Sequence, residues 1–365
     1  MQSRREKGEG SLYWSKERKV WVSQITLPNG KRRSKSSQSK KEAIDWLSEE
    51  RSKIAKGVLL SDDKIKIADF LDWYMREVAS HTLRPTTLQA NSSLIRNHII
   101  PELGNIRVSN LQPAQVQSFY SKKLNEGLSK RTVQYLHAIL HKCLDQALRW
   151  GLVTRNVCDL VDPPRVERRS HTVWTITEVK QFLKAVENHR WYPIYVLAIY
   201  TGMRKGEILG THRNDVDLAR GVVNVRHQIT QVQGVGSVIS EPKTERSRRQ
   251  ITLPVFAVTV LRRHIESLEG NQSLLFTTST GKPISSRNVV RHFKSVIESQ
   301  KLPDIRFHDL RHTHATLLLS AGTHPKVVQE RLGHSQISLT LDTYSSVIPS
   351  MQRDVADQFE ALLSE

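Results

Sequence analysis

Three blocks with different secondary-structure signals follow one another along this chain, and they fix how many domains it can form. The first, residues 11–57, reads as a small β-then-α unit. The run V-W-V-S-Q-I-T-L (20–27) is rich in β-formers, and Pro28-Asn29-Gly30 is a turn signal before K-R-R-S-K. Ala43, Ile44, Leu47, Arg51 and Ile54 then recur at helical spacing, with Gly57 as the stop. Residues 64 to about 160 read as helix throughout. Ile67, Phe70, Leu71 and Tyr74 make one face, and Pro85 opens a second helix at its first turn. A third helix runs from about Pro113 to Asn125 and stops at Gly127. Ser129 caps a fourth, striped by Val133, Leu136, Leu140, Leu144 and Leu148. The paired prolines of N-V-C-D-L-V-D-P-P-R-V-E-R-R-S-H (156–171) predict an inter-domain linker.

The last block mixes periods. Thr177 reads as the cap of a helix running towards His189, another helix covers roughly Pro193 to Tyr200, and Gly202 breaks it just before Arg204. Strand-like segments follow at 221–232, 235–239 and 248–253. Further helices are expected near 254–268, 285–300, 307–321, 325–332 and 338–347, and Val355, Phe359 and Leu362 share a face in the C-terminal tail. The 365 residues have room for two or three domains.

A formal charge of +19 points to a polyanionic partner, nucleic acid first, because released counterions supply affinity. Lys31, Arg32, Arg33, Lys35, Lys40 and Lys41 crowd one short stretch without an acid. This is either a solvated hairpin or a β-ribbon pressed into a DNA groove. The only cysteines, Cys143 and Cys158, lack metal-site spacing and read as buried, reduced thiols. No apolar run follows the charged N-terminus, so no signal peptide is expected, and Trp191 to Tyr200 is too short to span a bilayer. Composition therefore predicts a soluble, intracellular, cytoplasmic protein.

Chemistry concentrates in the last 160 positions: Arg204 in T-G-M-R-K-G-E, Lys243 in E-P-K-T, His308 and Arg311 in H-D-L-R-H-T, His334 in L-G-H-S, and Tyr344. Two guanidiniums match the charge and shape of a phosphodiester under in-line attack. Tyr344 supplies a nucleophile, whose phenol (pKa near 10) needs a base or a positive field to react at neutral pH. His308 and Arg311 lie one helical turn apart and share a face. Glu207, one turn after Arg204, suits an ion pair that steadies it. Lys243 sits between two β-segments with Arg246, Arg248 and Arg249 nearby as ordinary phosphate contacts, and lysine is the group whose pKa shifts in a cationic, partly dry site. Metal binding competes for His308, His312 and His314, but the H-E-x-x-H arrangement and cysteine ligands are missing. No metal or cofactor is expected.

The order and spacing of this series resemble the tyrosine recombinase family, the phage and conjugative-element integrases. The resemblance implies a multidomain protein. Residues 1–60 would be an arm-type DNA-binding domain, a three-stranded sheet plus helix that uses Lys31, Arg32, Arg33 and Lys35. Residues 64–160 would be an all-α core-binding domain, and 170–365 a mainly α (α+β) catalytic domain. It implies a 3′-phosphotyrosyl intermediate on Tyr344, Lys243 as general acid on a hairpin, His308 as base or phosphate donor, and His334 as hydrogen-bond donor. The partners implied are double-stranded DNA at core and arm sites, a homo-tetramer whose tail docks on a neighbouring protomer, an excisionase and a host DNA-bending protein, in the nucleoid of a bacterial host. Two rivals remain. A type IB topoisomerase shares the chemistry, but the arm-like block and the tail argue against it. A non-catalytic sequence-specific DNA-binding protein would have no use for the phenol.

Overall fold

The computed structural model describes residues 10–26, 32–55, 65–167, 172–232, 234, 236–242, 247–268, 272–334, 336–337 and 359–360. The chain divides into two compact units, residues 1–168 and 169–365.

In the first unit, strands β1 (Ser11–Ser15), β2 (Val20–Thr26) and β3 (Arg32–Ser37) form an antiparallel sheet in that order, with Trp14 opposite Trp21 and Ile25 opposite Arg33. Helix α1 (Lys40–Ala55) lies close to β2, because Ser23 and Ala43 are small and the Ser23 hydroxyl donates to the Ala43 carbonyl at 2.6 Å. That contact sets the helix's rotation. Of the residues at helical spacing, Ala43 and Leu47 are buried, as is Glu50, whereas Ile44 and Arg51 face solvent. The turn at Pro28-Asn29-Gly30 and the stop at Gly57 fall outside the described residues.

The helical block follows its predicted stripes closely. Helices α2 (Ile67–Tyr74), α3 (Pro85–Leu94), α4 (Pro113–Asn125) and α5 (Lys130–Arg149) bury Ile67, Phe70, Leu71, Tyr74, Val133, Leu136, Leu140 and Leu144, and leave Leu148 half-buried. Ser129 caps α5 by accepting from the Thr132 amide at 3.1 Å. Pattern reasoning did not foresee the π-helical turns Met75–Ala79 and Ile95–Ile99 that extend α2 and α3. The expected linker begins later than Asn156. Asn156 donates to the His141 carbonyl and accepts from the Cys158 amide, and Val157 and Cys158 enter the helical core. Cys143 and Cys158 are both free and buried, and burial pushes each thiol up to about 12.

The second unit is built around Trp174, Phe182, Tyr195, Phe293 and Phe307, whose rings meet within about 6 Å of one another. Helix α6 (Ile176–Ala185) is capped by Thr175 rather than Thr177, because the capping box pairs Thr175 with Glu178. Helix α7 (Tyr192–Thr201) is apolar all round because it is buried all round, with Ile194, Val196 and Leu197 at 0 % exposure. Each such side chain contributes about 1.5–3 kcal/mol. It ends in the left-handed Gly202 (φ 63°), and α8 (Lys205–Leu209) begins at once.

The segment expected as one strand over 221–232 is two. Strands β4 (Val216–Asp217), β5 (Val222–Val225) and β8 (Arg249–Thr252) form one sheet, ordered β4-β5-β8. Strands β6 (Gln228–Val232) and β7 (Gly236–Ser240) form a separate ribbon. Helix α8 presses glycines onto the start of β6. A Cβ on Gly206 would sit 2.7 Å from the Ile229 carbonyl oxygen, and one on Gly210 would sit 2.7 Å from the Gln228 Cα. Helices α9 (Val255–Glu266), α10 (Ser286–Ser299), α11 (Asp309–Ser320) and α12 (Pro325–Leu332) complete the unit. The helix expected near 338–347 and most of the tail lie outside the described residues, and Phe359 and Glu360 are helical. Among the described residues no helix is long and apolar enough to cross a membrane.

Candidate active site

Arg204 is the N-cap of α8, where an extended backbone (φ −69°, ψ 147°) lets the chain turn out of Gly202 and Met203 into the helix. Its carboxylate partner closes a capping box. Glu207 accepts from the Arg204 amide at 3.0 Å and from its Nη1 at 2.7 Å. A third donor, Arg249 Nη2, reaches the same carboxylate at 2.9 Å. Glu207 and Arg249 are buried, at 2 % and 7 % side-chain exposure, and Arg204 is more open at 36 %. Burial opposes a charge on Glu207, but Arg249 and then Arg204 overcome it and hold the carboxyl below its usual range.

Arg311 lies in the first turn of α11, 3 % exposed. Its guanidinium is fixed by carbonyls at the ends of two other helices: Nη1 donates to Gly202 at 2.8 Å and Nη2 to Leu332 at 2.7 Å. His308 is the N-cap of α11, and His334 follows the left-handed Gly333 (φ 67°) that ends α12. His334 is pinned through its backbone, its amide donating to the Gln329 carbonyl and its carbonyl accepting from Gln329 Nε2 at 3.1 Å. Burial, then Arg311 and Arg204, lower the pKa of both imidazoles, that of His334 to about 3. Both rings therefore sit in the field of the same two guanidiniums and are neutral at pH 7.

Around these four lies a layer that sequence reasoning misjudged. Arg249, expected as a phosphate contact, is instead an internal clamp. Besides Glu207 it holds the Arg331 carbonyl (2.7 Å) and the Ser247 carbonyl (3.0 Å). Arg331 went unnoticed. It donates to the Tyr200 and Thr252 carbonyls at 2.8 and 3.1 Å and to His314 Nε2 at 3.1 Å. His314 is thus an acceptor at Nε2, and burial followed by Arg331 pushes its pKa down to about 3. The partners of Arg331 are backbone carbonyls far away in sequence, so no local motif announces them.

Five of the expected residues, Arg204, Glu207, His308, Arg311 and His334, converge in this way. Lys243 and Tyr344 lie outside the described residues, as does Lys31. On the first sheet, Arg32 and Lys35 are exposed, whereas Arg33 is tied to the buried carboxylate of Glu50 at 3.0 Å. Arg33 therefore holds α1 against the sheet.

Two family profiles match the chain: the phage integrase family over residues 173–350, and the phage integrase N-terminal SAM-like domain over residues 66–124. The chain belongs to the phage integrase family of tyrosine recombinases. Within this family it is similar to a protein named tyrosine recombinase XerC-like from Caldanaerobacter subterraneus subsp. tengcongensis, 28 % identical over 352 residues, which cover 89 % of this chain and 90 % of that one. The ICEBs1 integrase of Bacillus subtilis is 27 % identical over 295 residues, 77 % of this chain and 79 % of the relative. Among solved structures, the Tn1549 transposon integrase in complex with a circular intermediate DNA superposes with a TM-score of 0.70 at 22 % identity, over 80 % of this chain and 99 % of that one. A lambda integrase dimer bound to a core site does so at 0.61 and 18 %, over 94 % and 96 %. At such identities these two establish the tyrosine recombinase fold.

Proposed function

We propose that this chain is the integrase of a mobile genetic element, a site-specific recombinase that cuts and rejoins DNA through a 3′-phosphotyrosyl intermediate without metal or ATP. The observation that carries this reading is the convergence of His308 and His334 with Arg204, fixed by Glu207, and Arg311, fixed by the Gly202 and Leu332 carbonyls. In the reaction, the Tyr344 oxygen bonds to the scissile phosphorus while the bond to the bridging 5′-oxygen breaks. The phenolic proton passes to His308, which is already deprotonated, and Lys243 gives its proton to the departing 5′-oxygen. Arg204 and Arg311 hold the non-bridging oxygens, and His334 donates a hydrogen bond to one of them. Fixed guanidiniums suit this task because they need no reorganisation as charge develops. The phosphotyrosine conserves the energy of the broken bond, so rejoining needs no cofactor.

The same reading assigns residues 1–60 to arm-site DNA, with Lys31, Arg32 and Lys35 on phosphates, residues 64–160 to the core half-site, and 170–365 to catalysis. It makes double-stranded DNA the substrate and a homo-tetramer on DNA the working assembly, in the host cytoplasm. An excisionase and a host DNA-bending protein would set direction. Lambda integrase, a structural relative, has been solved as a tetramer bound to a Holliday junction. The test is Tyr344→Phe on a nicked suicide substrate. The variant should bind core DNA like the wild type and yield no detergent-resistant covalent adduct. A normal amount of adduct would move the nucleophile elsewhere and overturn the assignment.

A further inference from the structure

The break between β5 and β6 gathers three side chains that the recombinase chemistry does not use. His227 lies in that break, and His212 and Asp215 flank the short turn after α8. His227 Nδ1 is 3.2 Å from Asp215 Oδ2, and His212 Nδ1 is 3.7 Å from the same oxygen. The two imidazole rings are 4.2 Å apart, centre to centre. All three ligand atoms fall within 4.8 Å of one another, and no other such trio does among the described residues. His212 Nδ1 is buried and makes no well-formed hydrogen bond, with only the Asp215 amide in a loose capping contact.

We propose that His212, Asp215 and His227 form a binding site for a divalent transition-metal ion of the zinc class, through Nδ1, Oδ2 and Nδ1. Ligand atoms about 2.0–2.1 Å from a tetrahedral zinc stand roughly 3.3 Å from one another. The two measured spacings to Asp215 bracket that value. A cation placed there gives the poorly satisfied Nδ1 of His212 a strong partner. Asp215 is already held for the role: the His212 amide donates to the same Oδ2 at 3.0 Å, and the ion would take the place of the His227 Nδ1 proton on that oxygen's other lone pair. Arg226 is an opposing charge near the carboxylate: its Nη1 stands 3.9 Å from Oδ1, on a side chain that is 61 % exposed and can turn to solvent. With three protein ligands the fourth position stays open to water. The ion would act as a clamp, tying the root of the β6–β7 ribbon to the segment that follows α8.

The test uses untagged full-length protein, stripped with chelator and titrated with Zn²⁺ against a chromophoric chelator, then with Co²⁺ read by its visible absorption. One site is expected, with the band of a four-coordinate ion. His212→Gln and His227→Gln should each weaken it at least tenfold. Arg226→Ala should tighten it several-fold by removing the opposing charge. His292→Gln, which disrupts the stacked His189–His292 pair (3.8 Å), should leave it unchanged. Uptake that ignores His212, His227 and Arg226 would overturn the proposal, as would no uptake at Zn²⁺ on the order of 100 µM, where even a site of only about −5.5 kcal/mol would be half filled. In either case the trio is an ordinary Asp–His hydrogen-bonded cluster.

Discussion

Replacing Glu207 by Gln should destabilise the C-terminal unit more than most single changes, and the size can be worked from its partners. The carboxylate is 2 % exposed and accepts three hydrogen bonds, two from guanidiniums and one from a backbone amide. A glutamine offers one acceptor oxygen and turns an NH₂ towards a cation. Removing one member of a buried pair costs about 3–5 kcal/mol. The Arg204 half is partly solvent-screened and adds at most about 1 kcal/mol, so most of the loss comes from stranding Arg249. For a unit of this size, about 2–4 °C is lost per kcal/mol, so its melting temperature should fall by roughly 10 °C. Calorimetry on the full-length protein measures this, and hydrogen exchange in peptides around residues 202–210 assigns it. Arg249→Met combined with Glu207→Gln should cost less than the sum of the two single changes by about 2 kcal/mol. The pH dependence has a definite sign. The folded pKa of Glu207 lies below its unfolded value, so its contribution is complete above pH 4.5 and fades as pH falls through the folded pKa. Wild type and variant should therefore converge in strong acid. A Glu207→Gln protein within about 0.5 kcal/mol of wild type at pH 7 would refute the reasoning.

Three further outcomes are expected. Lys243→Ala should cleave ordinary DNA about 10²–10⁴-fold more slowly and recover on a substrate whose bridging 5′-oxygen is sulfur, while Arg311→Ala should not recover; equal rescue of both would make Lys243 a phosphate-binding cation. Removing residues 1–60 should spare core-site cleavage, abolish arm-site binding and flatten the salt dependence of binding to DNA carrying both sites; an unchanged slope in a filter-binding titration would contradict the arm assignment. His314 gains a proton near pH 6.5 when unfolded but only near 3 when folded. Stability should thus fall on acidification across that window by up to ~1.4 kcal/mol per pH unit, and His314→Gln should lower that slope by one proton in urea titrations.

The sequence announced local features best. Stripes such as Val133, Leu136, Leu140 and Leu144 reveal a buried face because helical periodicity and burial have one cause. The Ser129 cap and the Gly202 break are equally local. Arg204, His308, Arg311 and His334 were legible because an ordered series of rare residue types is improbable without a shared task. What escaped depends on contacts between distant segments. Arg249 looks like any surface cation until Glu207 and the Arg331 carbonyl are in place, and Arg331 itself serves carbonyls more than 70 residues away. Helical spacing alone did not settle the exposure of Ile44, because the Ser23–Ala43 approach decides which way α1 faces. The break at Arg226–His227 escaped because β-propensity does not say which sheet a residue joins.

Gly206 within α8 and Gly210 at its C-cap have a mechanical consequence. With Gly206 and Gly210 set directly on the backbone of Gln228 and Ile229, the helix led by Arg204 and the root of the β6–β7 ribbon are in contact without a cushioning side chain. Neither can slide without the other. In the proposed reaction, delivery of Lys243 would have to hinge beyond Ile229, leaving Arg204 where Glu207 holds it. A methyl group at either glycine would wedge helix and ribbon apart while leaving Arg204, His308, Arg311 and His334 unchanged in the sequence.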